Sequence, residues 1–303
     1  MQLDARTGAA LSRDPPPDRS YPAQTLAQAI PSGELNLNAV LYLAAGLGPH
    51  PTVLLLHGLP GNEQNIDCAQ SIRRAGWNVL TIHYRGAWGG PGTFTFQHCL
   101  EDAEAALCWL QEAEPHDGLR IDPNRIILIG HSMGGFVAAQ TAASHPEVAG
   151  VALISGVDLG QAFGRGSRND AIIVDDNVGA SAGLHILAGT SPQDLVEEAR
   201  AKSEEWRLTS YVDGLAGRPV LLLTADDGFA DGSNALADAI SGISGIHLQQ
   251  RHFRDDHSYS NSRIELQGTL LGWLLALPAS DPKHSLASAA STSARGKEST
   301  HGN

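Results

Sequence analysis

Short runs of consecutive apolar residues mark the middle of the chain. Within these runs Val, Ile and Leu follow one another without alternating with polar positions. A strand covered on both faces has this pattern, because neither face meets water. The runs predict parallel strands at residues 52–57, 78–84, 125–130, 150–155 and 219–224, with a weaker candidate at 246–253.

Helix-like segments separate these runs. They are found at residues 63–75, 98–112, 134–144 and 233–241. Strands that alternate with helices form crossover units, so we predict the α/β class with a mostly parallel, doubly wound sheet. Residues 34–44 instead alternate apolar and polar positions, which is typical of an antiparallel edge pair.

The remaining segments define the predicted domain organisation. Residues 1–33 are rich in Pro, Asp and Arg and predict an N-terminal arm or a disordered lead, ahead of a single domain over 34–278. The interval 157–210 is too long for an ordinary connection between core strands, and we expect it to form a small helical cap. Residues 279–303 are poor in apolar side chains and predict a disordered tail.

Composition excludes several classes of protein. A net charge of −13 without any Lys/Arg cluster argues against a nucleic-acid partner. No apolar run is long enough to span a membrane, and the first residues do not resemble a secretion signal. The three cysteines, Cys68, Cys99 and Cys108, do not suggest a disulfide framework, so we expect a cytoplasmic protein. The sequence does not indicate an oligomeric state.

One short motif carries the first candidate chemistry. Residues 130–134 read Gly-His-Ser-Met-Gly, between the strand-like IILI and the helix-like FVAAQTAA. A serine in G-x-S-x-G at a sharp strand-to-helix turn presents its hydroxyl above the sheet, and the glycines avoid a steric clash there. The amino end of the following helix favours negative charge. Ser132 is therefore the predicted nucleophile.

A reaction at Ser132 would need donors for the oxyanion that develops on the substrate. The segment His57-Gly-Leu-Pro-Gly follows an upstream strand and can turn a backbone N–H toward the site. Pro60 has no N–H, so Leu59 is the predicted donor, and Met133, which follows the nucleophile, is the second. We expect His57 to be structural.

A base and an orienting acid should follow the serine in the order acid, then histidine. Asp226 and Asp227 follow one predicted strand, and His257 lies just past the next, where α/β sheets build their sites. We predict His257 as the base, because its rival His252 lies within or at the edge of the strand. Asp227 is the preferred acid, since Gly228 lets the chain turn after it, and Asp226 remains the alternative.

These residues resemble the α/β-hydrolase superfamily, within it the prolyl-oligopeptidase-like branch. The resemblance covers roughly residues 35–278 and is carried by HGLPGNEQN, HYRGAWGGPGTF, GHSMGG and DHSYS. It implies the α/β-hydrolase fold and a serine hydrolase without a cofactor, with Ser132 as nucleophile, His257 as general base and Asp227 as its acid. The chain has no room for the branch's propeller domain. It also lacks a tyrosine after Arg85 where that branch has an oxyanion donor.

These departures favour a small acyl substrate. The predicted function is hydrolysis of a carboxylic ester through an acyl-enzyme. The alternatives are a peptidase or amidase, an acyltransferase, or a non-catalytic binding protein of the same fold. Trp88, Phe163 and Trp206 are candidates either for an apolar acyl pocket or for core packing. The histidines show no metal-ligand spacing, so no metal site is predicted.

Overall fold

The core of the fold is one eight-stranded sheet. The computed structural model describes residues 4–112, 118–164, 181–243 and 245–278. The strands are β1 Gln24–Ser32, β2 Leu35–Leu43, β3 His50–Leu56, β4 Asn78–Ile82, β5 Ile121–His131, β6 Gly150–Ile154, β7 Pro219–Ala225 and β8 His247–Phe253. Their order is β1-β2-β4-β3-β5-β6-β7-β8. β1 and β2 are antiparallel to their neighbours, and the other six strands run parallel.

Helices cover both faces of this sheet. They are α1 Ala5–Ser12, α2 Ile66–Arg74, α3 Phe96–Gln111, α4 Met133–Ser144, α5 Leu159–Phe163, α6 Pro192–Ala201, α7 Val212–Leu215, α8 Ala230–Ile240 and α9 Arg263–Ala276, with 3₁₀ helices at Ser181–Ile186 and Leu208–Tyr211. Along β3, Val53 and Leu55 belong to one apolar cluster, whereas Leu54 and Leu56 belong to the other. Burial on both faces explains why the strands read as continuous apolar runs.

The predicted α/β class and α/β-hydrolase fold are confirmed, and each predicted apolar run contributes to a strand. The N-terminal region differs from the prediction. Part of residues 1–33 forms α1, capped by the Asp4 side chain, and another part forms β1, which pairs along its length with β2. β1 lies at the sheet edge with most side chains exposed, so backbone pairing stabilises it without an apolar run.

The long interval 157–210 is largely helical where it is described. The Asp158 carboxylate joins its two ends, accepting hydrogen bonds from Gln161 N at 2.7 Å and Leu208 N at 3.0 Å. Glu198 on α6 accepts from Phe96 N and Gln97 N at the start of α3, at 2.9 and 2.8 Å. These bonds fix the segment to the main domain.

Two sequence-based expectations concern residues outside this description. They are residues 165–180 of the predicted helical cap and the predicted tail from residue 279. Among the residues that the structure describes, no helix combines the length and apolar character needed to cross a bilayer.

Candidate active site

Ser132 stands alone between the end of β5 and the first residue of α4. Its backbone has φ 58° and ψ −123°, a conformation that L-residues rarely adopt. Ser132 N donates to Ile154 O at 2.9 Å, and Ser132 O accepts from Gly135 N at 2.9 Å and Val157 N at 3.1 Å. The neighbouring strand and turn thereby hold the strained corner in place.

Glycines are required around this corner because backbone atoms approach closely. A Cβ at Gly130 would overlap the carbonyl oxygen of Gly134, and one at Gly134 would overlap the carbonyl oxygen of Leu56. A Cβ at Gly58 would lie 2.7 Å from Ser132 Cβ. The loop after β3 is thus packed directly against the serine.

The structure brings the predicted base and acid together. His257 Nδ1 lies 2.8 Å from Asp227 Oδ2, and the aspartate side chain is only 2% exposed. The other carboxylate oxygen accepts from Phe229 N at 2.9 Å. Burial raises the pKa of Asp227, but hydrogen bonds from His257, Ser155 and Phe229 outweigh it and lower the pKa overall. The carboxylate therefore stays ionised and can fix the imidazole tautomer with a proton on Nδ1.

The alternative acid has a different partner. Asp226 Oδ1 lies 2.9 Å from His252 Nε2, and both side chains are about half exposed or more, at 62% and 49%. Thr224 Oγ1 holds the other ring nitrogen of His252 at 3.0 Å. Because adjacent residues point in opposite directions at the end of β7, only one of the two aspartates reaches His257.

His131 joins the serine corner to the histidine loop. Its Nε2 lies 2.8 Å from the backbone carbonyl of His257, and the two rings are 4.9 Å apart. Burial, followed by the charge of His257, lowers the pKa of His131 to about 3. The His131 ring therefore stays neutral and donates from Nε2. Because His131 directly precedes Ser132, this bond holds the His257 backbone close to the serine.

The serine and the histidine are not hydrogen-bonded in this conformation. Among the described residues, Ser132 Oγ makes no hydrogen bond to the His257 ring, although His131, which directly precedes Ser132, binds the backbone carbonyl of His257. Such contacts are often long before substrate binds, so the arrangement fits a candidate acid–base pair near a candidate nucleophile.

The two predicted oxyanion donors lie on either side of the same corner. Met133 is the first residue of α4, where the backbone N–H has no acceptor within the helix. Leu59 follows Gly58, which packs on Ser132. Trp88 Nε1 steadies the Leu59 loop by donating to Pro60 O at 3.0 Å. Both predicted N–H groups therefore belong to segments that adjoin the serine.

His57 also steadies this loop. Its Nδ1 donates to Gly58 O at 2.7 Å, and its ring is 4% exposed. Burial lowers its pKa to about 4, so the ring is neutral. The structural role expected for His57 matches this arrangement.

The candidate pocket residues have different environments. Trp206 is completely buried between Phe96 and Phe136, with ring centroids at 6.1 and 5.5 Å, so it packs in the core. Phe163 is buried as well, at 4% exposure. Trp88 is 40% exposed, and of the three it is the one available to a substrate.

Sequence reasoning missed Ser155 and Tyr259 as residues of this site. Their hydroxyl oxygens lie 2.9 Å apart, and the Ser155 hydroxyl contributes to the lowered pKa of Asp227. Ser155 follows β6 directly, so the rule that sites form at the carboxyl ends of strands could have indicated it. Within the described ranges, no group of three or more His, Cys, Asp or Glu side chains is arranged to hold a metal.

The strand order and the strained elbow are those of the α/β-hydrolase fold, and a family model described as the alpha/beta hydrolase fold matches residues 51–182. The chain has the α/β-hydrolase fold. It is 34% identical over 103 residues to an uncharacterized protein of Mycobacterium tuberculosis, covering 34% of this chain and 35% of the relative. It is 36% identical over 107 residues to an sn-1-specific diacylglycerol lipase of Danio rerio, covering 34% and 30%. The chain thus spans about a third of these curated relatives.

Solved structures share the fold at low identity. The 2,6-dihydroxy-pseudo-oxynicotine hydrolase superposes with a TM-score of 0.63 at 18% identity, covering 85% of this chain and 68% of the other. Puromycin hydrolase gives 0.62 at 17%, covering 89% and 42%. The carboxylesterase EstE1, cloned from a metagenomic library, gives 0.59 at 20%, covering 90% and 94%.

Proposed function

We propose that this protein is a serine hydrolase that cleaves a carboxylic ester through an acyl-enzyme intermediate. The observation that carries the proposal is the pair of His257 with the buried Asp227, held by a hydrogen bond between the backbone carbonyl of His257 and His131, the residue next to Ser132. A binding protein of this fold would have no need of a buried acid–base pair beside a strained serine. The lipase and carboxylesterase among the similar proteins favour an ester as substrate.

The proposed reaction has two halves. His257 Nε2 takes the proton of Ser132 as Oγ bonds to the substrate carbonyl carbon, and the N–H groups of Leu59 and Met133 bind the resulting oxyanion. The imidazolium then protonates the leaving alcohol as the carbon–oxygen bond breaks. Water repeats the sequence on the acyl-enzyme and releases the acid. Asp227 stays ionised throughout and stabilises the imidazolium.

Labelling with a fluorophosphonate tests the nucleophile directly. We expect the full-length protein to gain one phosphonyl group, located on Ser132 by peptide mass spectrometry, and to hydrolyse p-nitrophenyl esters of short acids. The Ser132→Ala variant should show neither. Full turnover by purified Ser132→Ala would reject the mechanism, and a folded wild type that is neither labelled nor active would favour the non-catalytic binding protein.

A panel of matched substrates tests the bond that is cleaved. We expect an ester to be turned over faster than the anilide of the same acid. If a nucleophilic alcohol were added and formed the new ester in preference to free acid, acyl transfer would replace hydrolysis as the function.

A further inference from the structure

Ser155 and Tyr259 form a buried hydroxyl pair behind the acid of the candidate site. Their side-chain oxygens are 2.9 Å apart, and the two residues are 2% and 0% exposed. Ser155 comes directly after β6, whereas Tyr259 is two residues beyond His257. The bond therefore connects the sheet to the loop that carries the proposed base, across 104 positions of sequence.

Both residues adopt a backbone conformation that is uncommon for side chains with a Cβ. Ser155 has φ 44° and Tyr259 has φ 57°. Such conformations persist where surrounding contacts determine them, and they cluster at functional sites. Ser155 N donates to Leu223 O on β7 at 2.8 Å, and Tyr259 N donates to Asp256 O at 3.0 Å. The strained backbone at each end directs one hydroxyl toward the other.

The hydroxyl pair also bears on the charge of Asp227. A hydrogen bond from the Ser155 side chain is among the causes that lower the pKa of Asp227, and an ionised carboxylate only accepts. Within the 2.9 Å contact between Ser155 and Tyr259, either hydroxyl can donate. Burial, then the charges of Asp227 and Asp255, raise the pKa of Tyr259, so its proton remains in place.

We propose that Ser155 and Tyr259 are positioning residues for the candidate site. Their hydrogen bond fixes the loop that carries His257 to the end of β6, so that the base stays in register with Asp227. This inference rests on the proposed serine hydrolase function.

The test is ester hydrolysis by Tyr259→Phe and Ser155→Ala in the full chain. Phenylalanine keeps the ring that packs on Phe253 at 5.1 Å and removes only the hydroxyl. We expect kcat to fall by roughly 10- to 100-fold in each variant with KM little changed, the size of effect seen when an outer partner of a site group is lost. The double variant should lose little more than either single one.

The pH profile separates positioning from general stabilisation. Loss of the donor raises the pKa of Asp227, so the acidic limb of kcat should move to higher pH. The titratable group in contact with Asp227 is His257, and it is unchanged in all of these variants. The matched control is Tyr211→Phe, which removes a buried hydroxyl bonded to Gln140 Oε1 at 2.9 Å and should leave kcat and its pH profile unchanged.

Two results would overturn the inference. One is wild-type kcat and pH profile in both Tyr259→Phe and Ser155→Ala. The other is an equal loss of activity in Tyr211→Phe at an equal loss of thermal stability, since the hydroxyl pair would then act only on the fold. Wild-type turnover and fluorophosphonate labelling are measured beside these variants. Their failure would reject the proposed function instead.

Discussion

His131 Nε2 lies 2.8 Å from the backbone carbonyl oxygen of His257. This bond spans 126 positions of sequence and joins the residue before the proposed nucleophile to the proposed base. The other ring nitrogen of His131 is buried with no hydrogen-bond partner among the described residues. The ring thus supplies one directed donor, and its tautomer is determined by the carbonyl that it meets.

Replacing His131 tests this link. His131→Gln keeps an N–H donor close to the position of Nε2 and should retain much of kcat, whereas His131→Leu should lower kcat by roughly tenfold or more, as expected when a buried carbonyl loses its donor. Steady-state kinetics on one ester measure both. His145→Gln, at the far end of α4, is the control and should match wild type. Equal kcat in the Gln and Leu variants would show that the donor has no role.

The two adjacent aspartates should differ sharply in their effect on activity. Asp227→Asn cannot stabilise the imidazolium and favours the wrong tautomer, so kcat should fall by roughly 10⁴-fold. Asp226→Asn removes only an exposed pair with His252 and should change kcat less than twofold, on the order expected for a surface ion pair. The comparison of kcat at pH 8 decides between them. A larger loss in Asp226→Asn would contradict the assignment.

Buried neutral histidines should make the protein sensitive to acid. The pKa values of His57 and His131 are lowered from 6.5 to about 4 and about 3, so the unfolded chain binds protons that the folded one does not. The contribution of these histidines to the free energy of unfolding is fully present above pH 6.5. It decreases as pH falls below 6.5, by at most about 1.4 kcal/mol per pH unit for each histidine.

Urea unfolding at pH 7.5, 6 and 5 measures this slope. Asp227 has a lowered pKa and adds stability that is lost only at lower pH, below the ordinary carboxyl pKa of 3.8. In His131→Gln the slope between pH 6 and 5 should be smaller than in wild type. An unchanged slope would show that His131 does not carry this proton linkage.

A methyl group at Gly58 should disturb the oxyanion loop. It would lie 2.7 Å from Ser132 Cβ and 3.1 Å from His131 O, so Leu59 must move away from the serine. We expect Gly58→Ala to lower kcat by roughly 10²-fold or more, the effect of losing one oxyanion donor. Gly272→Ala, on α9 with open space at its Cβ position, is the control and should keep full activity with slightly higher stability. Normal kcat in Gly58→Ala would exclude Leu59 as a donor.

The link from Glu198 to α3 should contribute to stability. Its carboxylate accepts from Phe96 N and Gln97 N, which have no acceptor within their own helix because they belong to its first turn. Glu198→Ala should lower the free energy of unfolding by about 1 kcal/mol, as for loss of a helix cap. Urea unfolding compares it with Glu197→Ala, an exposed neighbour expected to have no effect. Equal stability of the two variants would show that this cap is unimportant.

Local features of the sequence predicted most of the sheet and the serine corner. Continuous apolar runs can be recognised without knowing their neighbours in the fold, because a strand buried on both faces is apolar at successive positions. The glycine at residue 130 is likewise a local requirement, since its Cβ would overlap the carbonyl oxygen of Gly134 within the same turn, whereas Gly134 is required by the close approach of Leu56 on β3. β1 was missed because an exposed edge strand depends on backbone pairing with β2, which its own pattern does not show.

Only the tertiary structure decided which side chains meet. The sequence placed Asp226 and Asp227 at one strand end, and their opposite directions gave one to His252 and the other to His257. The bond between Ser155 and Tyr259 likewise depends on where two separate strand ends come to lie. Sequence patterns indicate which faces of each segment are buried and which are exposed to solvent, whereas contacts between distant segments depend on the path of the whole chain.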